Sequence, residues 1–326
     1  MPNYRPDLGH REPNTVLRGG ETHDDGQSFD FEKKNMEYPK LGEILKTGRY
    51  FGSATALYLK PAFQANTSLF LNQSGVTETF DFAYKLAPKI QLGFESKFGP
   101  GIELEYWGYS DFSRVASFTS DGIETATTSA WMRGANNWSR ISAINAGETL
   151  TARHRMEVDV VGASFFKEVQ LPKARINGKF GFQTAHIIHE LTAQVSTATG
   201  AEIGSLRSRS DVRGLGPQFE LEYFRPIGHT KLEFLTTASG SVLFGKQTQV
   251  IENSNLGNQS RMKADEFVMT FDFFSGVQYR RMFGEKRYWF ARTGVLYQAW
   301  LHGGTAVLPQ DDFGLSGCAI SVGLNR

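Results

Sequence analysis

Residues 89–112 read KIQLGFESKFGPGIELEYWGYSDF, and their character flips from one position to the next. Ile90, Leu92, Phe94 and Phe98 are apolar, while Lys89, Gln91, Glu95 and Lys97 between them are polar. Past Gly99-Pro100-Gly101 the pattern resumes, with Ile102, Leu104 and Tyr106 set against Glu103 and Glu105. A period of two marks a β-strand, and Gly-Pro-Gly between two such runs marks a hairpin. One face of this hairpin is apolar and the other charged.

The pattern recurs along the chain. Residues 49–60 alternate small and aromatic groups. In 155–167, Met156, Val158, Val160 and Gly162 oppose Glu157 and Asp159. In 173–190, Ile176, Phe180, Phe182 and Ile188 oppose Arg175, Asn177, Lys179 and Gln183. In 214–224, Phe219, Leu221 and Tyr223 oppose Gln218, Glu220 and Glu222. Residues 229–246 and 265–281 repeat it around Phe234, Val242, Phe267 and Phe271, and two more runs follow at 286–300 and 313–325. Helical periodicity is absent. Short connections (98–101, 168–172, 225–229, 282–286) alternate with long polar ones (61–87, 111–154, 190–212, 247–264, 301–312), the arrangement of an up-and-down meander with its long loops at one end. Strands in soluble sheets run to about 5–6 residues. Most of these reach ten or more, near the ~9–11 that cross a bilayer when tilted. The reading is an all-β fold, an antiparallel up-and-down transmembrane barrel of about ten strands, or twelve if 77–86 and part of 111–154 also pair. Its apolar face meets lipid and its polar face a wet lumen.

Composition narrows the function. Lys+Arg number 35 and Asp+Glu 34, which leaves no electrostatic footprint for nucleic acid. No run approaches the roughly 18 apolar residues of a membrane helix. The single cysteine, Cys318, excludes an intrachain disulfide and a cysteine-based zinc site, and reads as a small wall residue on the last strand. Residues 1–47 are rich in Pro, Gly, Asp, Asn and Lys without periodicity, and are expected to be disordered or loosely attached, with the barrel at 48–326. They show no apolar secretion-signal core, and the chain ends Gly323-Leu324-Asn325-Arg326 rather than in an aromatic residue.

Three stretches carry a family resemblance. The segment 211–247 contains Gly214-Leu215-Gly216-Pro217, then the turn Pro226-Ile227-Gly228, then Ser241-Val242-Leu243-Phe244-Gly245. The hairpin around 87–107 contains Ala87, Pro88, Leu92, Gly93, Gly101, Tyr106 and Trp107, and the chain closes with GLSGCAISVGLNR. Over roughly 48–326 this resembles the Legionella-type major outer membrane protein family, pore-forming barrels also abundant in planctomycete-like bacteria. The resemblance implies a Gram-negative outer-membrane barrel that passes small solutes.

No phosphate loop, nucleophile elbow or EF-hand is present. His186 and His189 of HIIHE lie three apart, so on a strand they face opposite ways and do not chelate together. No metal, no cofactor and no enzymatic role are expected. Alternation places Glu95, Glu103, Glu105, Glu157, Asp159, Glu220, Glu222, Glu233 and Asp272 in the lumen, with Arg175, Lys179, Lys231 and Arg292. This lining implies a weak preference for cations. Expected partners are outer-membrane lipid and small solutes or ions. The segment 111–154, with Trp131 and Trp138, reads as an external loop in preference to one folded into the mouth. Trp289, Trp300, Tyr106, Trp107 and Tyr288 are expected in aromatic girdles. The rival readings are a non-conducting structural or surface-interaction barrel, an outer-membrane enzyme with a rim site, and a soluble β protein.

Overall fold

The computed structural model describes residues 48–325, apart from 65–66, 98, 133–136, 284–286, 306 and 309–310. The reading of 1–47 as loosely attached lies outside the described residues. Ten strands form the wall: β1 (Arg49–Phe63), β2 (Lys85–Glu95), β3 (Pro100–Phe112), β4 (Thr149–Leu171), β5 (Ala174–Ser196), β6 (Glu202–Pro226), β7 (Leu232–Asn253), β8 (Asn258–Met282), β9 (Tyr288–Leu301) and β10 (Phe313–Asn325). Each pairs antiparallel with the next, and β10 returns to β1 through a ladder from Phe51↔Asn325 to Phe63↔Phe313. The ring is therefore closed, as a bilayer requires of any spanning sheet, because lipid offers no partner to unpaired backbone groups.

Of the stretches expected to add wall strands (77–86 and part of 111–154), 77–79 and most of 126–143 join Thr67–Leu71 in a separate four-stranded sheet, while Lys85 and Leu86 belong to β2. That sheet consists of Thr67–Leu71, Thr77–Thr79, Ala126–Met132 and Asn137–Ala143. A further short strand, Ala116–Thr119, pairs with the upper part of β4. The wall stays at ten.

Two of the expected long loops are strand. Segments 190–212 and 247–264 continue β5–β6 and β7–β8 as ladders, joined by residues 197–201 and 254–257. The reason is physical. Above the lipid the outward positions no longer need to be apolar, so Thr192, Gln194, Arg207, Arg209, Lys246 and Glu252 appear there. The inward positions Leu191, Ala193, Val195, Leu206, Val212 and Ile251 remain buried. The sequence thus loses half of its strand signal where the backbone ladder persists.

The lipid-facing band is explicit. Leu92 (60% exposed), Phe165 (67%), Phe182 (59%), Phe244 (63%) and Val295 (63%) point outward around the ring. A water-soluble surface does not carry such a belt. On β4 it ends where Val161 gives way to Asp159, Glu157, Arg155 and Arg153, and on β6 where Leu215 gives way to Arg213. Cys318 sits in the band on β10, exposed and free. The gap in the β6–β7 ladder at Gly216-Pro217, across which the register is kept, has a local cause. A Cβ at Gly216 would lie 1.8 Å from the Val242 carbonyl oxygen, and Pro217 has no N–H to donate.

The topology gives a direct expectation. In a Cys318→Ser background on intact cells, a membrane-impermeant thiol reagent labels Thr199→Cys in the β5–β6 connection. It labels His229→Cys in the β6–β7 turn only after permeabilisation. The opposite pattern would invert the barrel.

Candidate functional site: the divided lumen

The interior has an apolar upper part and a charged lower part. The upper part is a plug. Gln249 Nε2 of β7 donates to the Trp131 carbonyl at 2.7 Å, Asn253 Nδ2 donates to Ser139 Oγ at 2.9 Å and to the Arg140 carbonyl at 3.0 Å, and Trp131 N donates to the Val307 carbonyl at 3.0 Å. These bonds hold the 126–143 hairpin against the inward face of the wall. Ala126, Ala130, Ile141 and Ala143 are buried there among Leu150, Met156, Val158, Ile187, Leu191 and Leu206. The bland reading of 111–154 as an external loop is therefore corrected. The small residues at alternate positions of ATTSAWM let this strand approach the wall closely, and the pattern was visible in the sequence.

Aromatic rings fill the rest of the plug. Trp300 stacks on Phe313 (centroids 5.7 Å, planes 4° apart), and Trp107 meets Trp300 edge-on at 6.1 Å. Both tryptophans face inward, as does Tyr288, unlike the outward girdle expected of them. Trp289 and Tyr106 do face outward. In the same layer His154 Nε2 lies 3.2 Å from His189 Nδ1, ringed by Phe63, Phe80, Phe82 and Phe313. His186 faces the other way and contacts Asp211 at 3.1 Å, as the strand period demands of residues three apart.

The histidine pair stands above the lipid band. Burial, and secondarily His189, hold His154 well below the usual imidazole range, and burial pushes His189 down to about 3. In the unfolded chain both would titrate near 6.5. The unfolded state thus binds more protons below that pH, so stability is full above about 6.5 and falls as pH drops toward 3. Thermal unfolding followed from pH 7.5 to pH 4 is expected to show a falling midpoint, flattened in a His154→Gln/His189→Gln double variant. An unchanged pH slope in that variant would count against the assignment.

Below the plug lies a charged network. Lys179 Nζ on β5 is 2.8 Å from Glu103 Oε1, 2.9 Å from Glu220 Oε1 and 3.8 Å from Glu222 Oε2, and all four side chains are buried. Lys89 pairs with Glu105 at 2.7 Å, Arg292 with Glu222 at 3.5 Å, and Arg49 with Glu95 at 2.6 Å. Nearer the turns Arg175 bridges Glu168 and Glu233, both at 2.8 Å. Gln278 donates to Glu233 and accepts from Arg292.

Two internal spaces accompany this network. The larger, about 100 Å³, reaches from Leu57 and Trp107 to Glu222 and Arg292. The smaller, about 80 Å³, lies toward the turns between Phe51, Phe166, Arg175 and Phe290. Gln91, Glu222 and Arg292 line both. Among the described residues no cluster of three or more His, Cys, Asp or Glu is arranged to hold a metal ion.

Ten of the predicted lumen residues do face inward: Glu95, Glu103, Glu105, Arg175, Lys179, Glu220, Glu222, Glu233, Asp272 and Arg292. Three do not. Glu157 and Asp159 point outward on β4, where Arg155 pairs with Glu157 and Tyr106 Oη donates to Asp159 at 3.1 Å. Above the lipid the faces trade character: the inward Met156, Val158 and Val160 pack on the plug, and charge moves outside. Lys231 lies in the β6–β7 turn and is exposed. The neutral lining includes Gln183, Gln218 and Ser239, which alternation sets on the polar face, and Gln298 and Ser321, which sequence reasoning missed because amides and hydroxyls carry no distinctive spacing.

A closed ring with an apolar belt, an internal plug and a charged lumen defines an outer-membrane β-barrel. The sequence model described as the Legionella pneumophila major outer membrane protein precursor matches residues 47–324. The chain belongs to that family, and its place is the outer membrane. No curated protein matches it. Among solved structures it is similar to the outer membrane protease OmpT from Escherichia coli (9% identity, 85% of this chain and 96% of that one, TM-score 0.44). It is also similar to a major outer membrane protein from Thermus thermophilus (9%, 86% and 99%, TM-score 0.34) and to a Pseudomonas aeruginosa FadL homologue (9%, 86% and 90%, TM-score 0.25).

Proposed function

We propose that the barrel is a narrow passive channel for small solutes with a weak preference for cations, closed toward the outside by its plug. The observation that carries this reading is the polar character of the lumen: two internal spaces sharing Gln91, Glu222 and Arg292 beneath an apolar layer. Below the plug the inward acids are Glu95, Glu103, Glu105, Glu168, Glu220, Glu222, Glu233 and Asp272. The inward bases are Arg49, Lys89, Arg175, Lys179, Arg280 and Arg292. A small acidic excess, mostly paired, attracts cations modestly. The reading assigns no catalysis: Glu103, Glu105, Glu220 and Glu222 are held in ion pairs with Lys89, Lys179 and Arg292.

Refolded full-length protein in planar bilayers is expected to pass small currents. Deleting 126–143 should raise them severalfold, with reversal potentials on the cation side at low salt. The preference should fade near 1 M salt, where the Debye length is about 3 Å. Silence in both the full chain and the deletion would sink the channel reading. That result would favour the second reading, a non-conducting structural barrel, which the plug itself supports.

A further inference from the structure

Four carboxylates line the larger internal space: Glu105, Glu220, Glu222 and Asp272. The first three are neutralised by Lys89, Lys179 and Arg292. Asp272 on β8 differs. It makes no ion pair within 4 Å among the described residues. Its Oδ2 accepts from Ser239 Oγ at 3.1 Å, and its Oδ1 is buried without a hydrogen-bond partner. Gln298 on β9, 5% exposed, is its direct register neighbour, and the Gln298 Oε1 is also a buried acceptor without a donor. Gln218 Oε1, on the same space, is a third. Buried acceptors are normally satisfied, and three on one wall call for a ligand rich in donors. Directly opposite residues on neighbouring strands hold their Cβ atoms about 4.5–5.5 Å apart. The register of Asp272 and Gln298 puts an acceptor side chain on each of two adjacent positions of one face, an arrangement suited to an ammonium group, which has three N–H donors.

The rest of the lining selects the body of that ligand. Leu57, Leu235, Phe274, Leu296 and Trp107 make an apolar wall on the same space. Phe274 follows Asp272 by two positions on the same face, opposite Leu296. An inorganic cation leaves such a wall unused, whereas an alkyl or arylalkyl chain fills it. The two rings add cation–π attraction. We propose that Asp272, with Gln298, is the binding site for a primary organic ammonium carrying a small apolar body. It rests on the channel reading only in naming what that lumen selects.

The test is calorimetric titration of the refolded full-length chain in neutral detergent with n-butylammonium, n-butanol and butyrate. Butylammonium is expected to bind, and the neutral and anionic isosteres to bind at least on the order of tenfold more weakly, the weight of a charge-assisted hydrogen bond. Asp272→Asn, nearly isosteric, should abolish the preference, Asp272→Glu should restore part of it, and Gln194→Ala, on the outward face above the lipid, should leave it in place. Equal binding of butanol, or butylammonium binding unchanged by Asp272→Asn, overturns the site. Bilayer currents separate the two ideas. Conductance without ammonium selectivity removes the site and leaves the channel, while ammonium binding in a silent barrel upholds the site and removes the channel.

Discussion

Replacing Lys179 by methionine is expected to lower the stability of the barrel by about 3–5 kcal/mol, the usual consequence of removing one partner from a buried ion cluster. The ammonium group is the common partner of Glu103, Glu220 and Glu222, which come from β3 and β6 on either side of β5. Without it three carboxylates share a space largely screened from water, and repulsion adds to lost attraction. Glu103→Gln should be much milder, because Glu220 and Glu222 still hold the lysine and Gln91 Nε2, 3.3 Å from Glu103, still has Glu105 at 2.8 Å. Urea titration of vesicle-inserted protein separates the two variants. A loss below about 1 kcal/mol for Lys179→Met, no more than an exposed pair contributes, would mean that the cluster is solvated and carries little of the fold.

A second large effect is expected at Phe182. Phe182→Arg should cost about 2–4 kcal/mol, the range for a charge at the bilayer midplane of a barrel. Gln194→Arg, on the same outward face of the same strand, should cost almost nothing. Phe182 is 59% exposed between the lipid-facing positions of β4 and β6. Gln194 lies twelve residues further, past the charged border, where its amide donates to Glu202, a contact an arginine would keep. Equal penalties at the two sites would contradict a lipid belt that ends below His186.

The wall itself was legible because lipid imposes a rule on every second residue. Leu92, Phe271 and their neighbours reveal strand, face and ring from spacing alone. Where lipid ends, so does the rule. Ser208, Ser210, Gln247 and Gln249 face inward on a continuing ladder, yet their polarity reads as loop. Glu157 and Asp159 were assigned to the lumen on the assumption that charge always faces in, whereas an apolar plug reverses the faces. The contacts of Lys179 with Glu220 and Glu222 on the adjacent β6 and with Glu103 on β3, two strands away, depend on register across the sheet, which periodicity does not identify.

The uneven height of the wall has one more consequence. β4 to β8 rise well past β9 and β10, so the upper rim is a half-cylinder with two free sides. On one side Ala116–Thr119 pairs with β4 and closes it. On the other, the β8–β9 ladder begins only at Met269↔Leu301, and residues 258–265 have no ladder partner on that side among the described residues. Among the described residues that stretch is a β-edge, the kind of backbone that takes part in strand addition. Arg261, Lys263 and Asp265 alternate along its outward face, and such charges discourage two copies of the barrel from zipping together edge to edge. Deuterium uptake would read this asymmetry directly: fast exchange at alternate amides of 258–265, slow exchange throughout the doubly paired upper segments of β5 and β6.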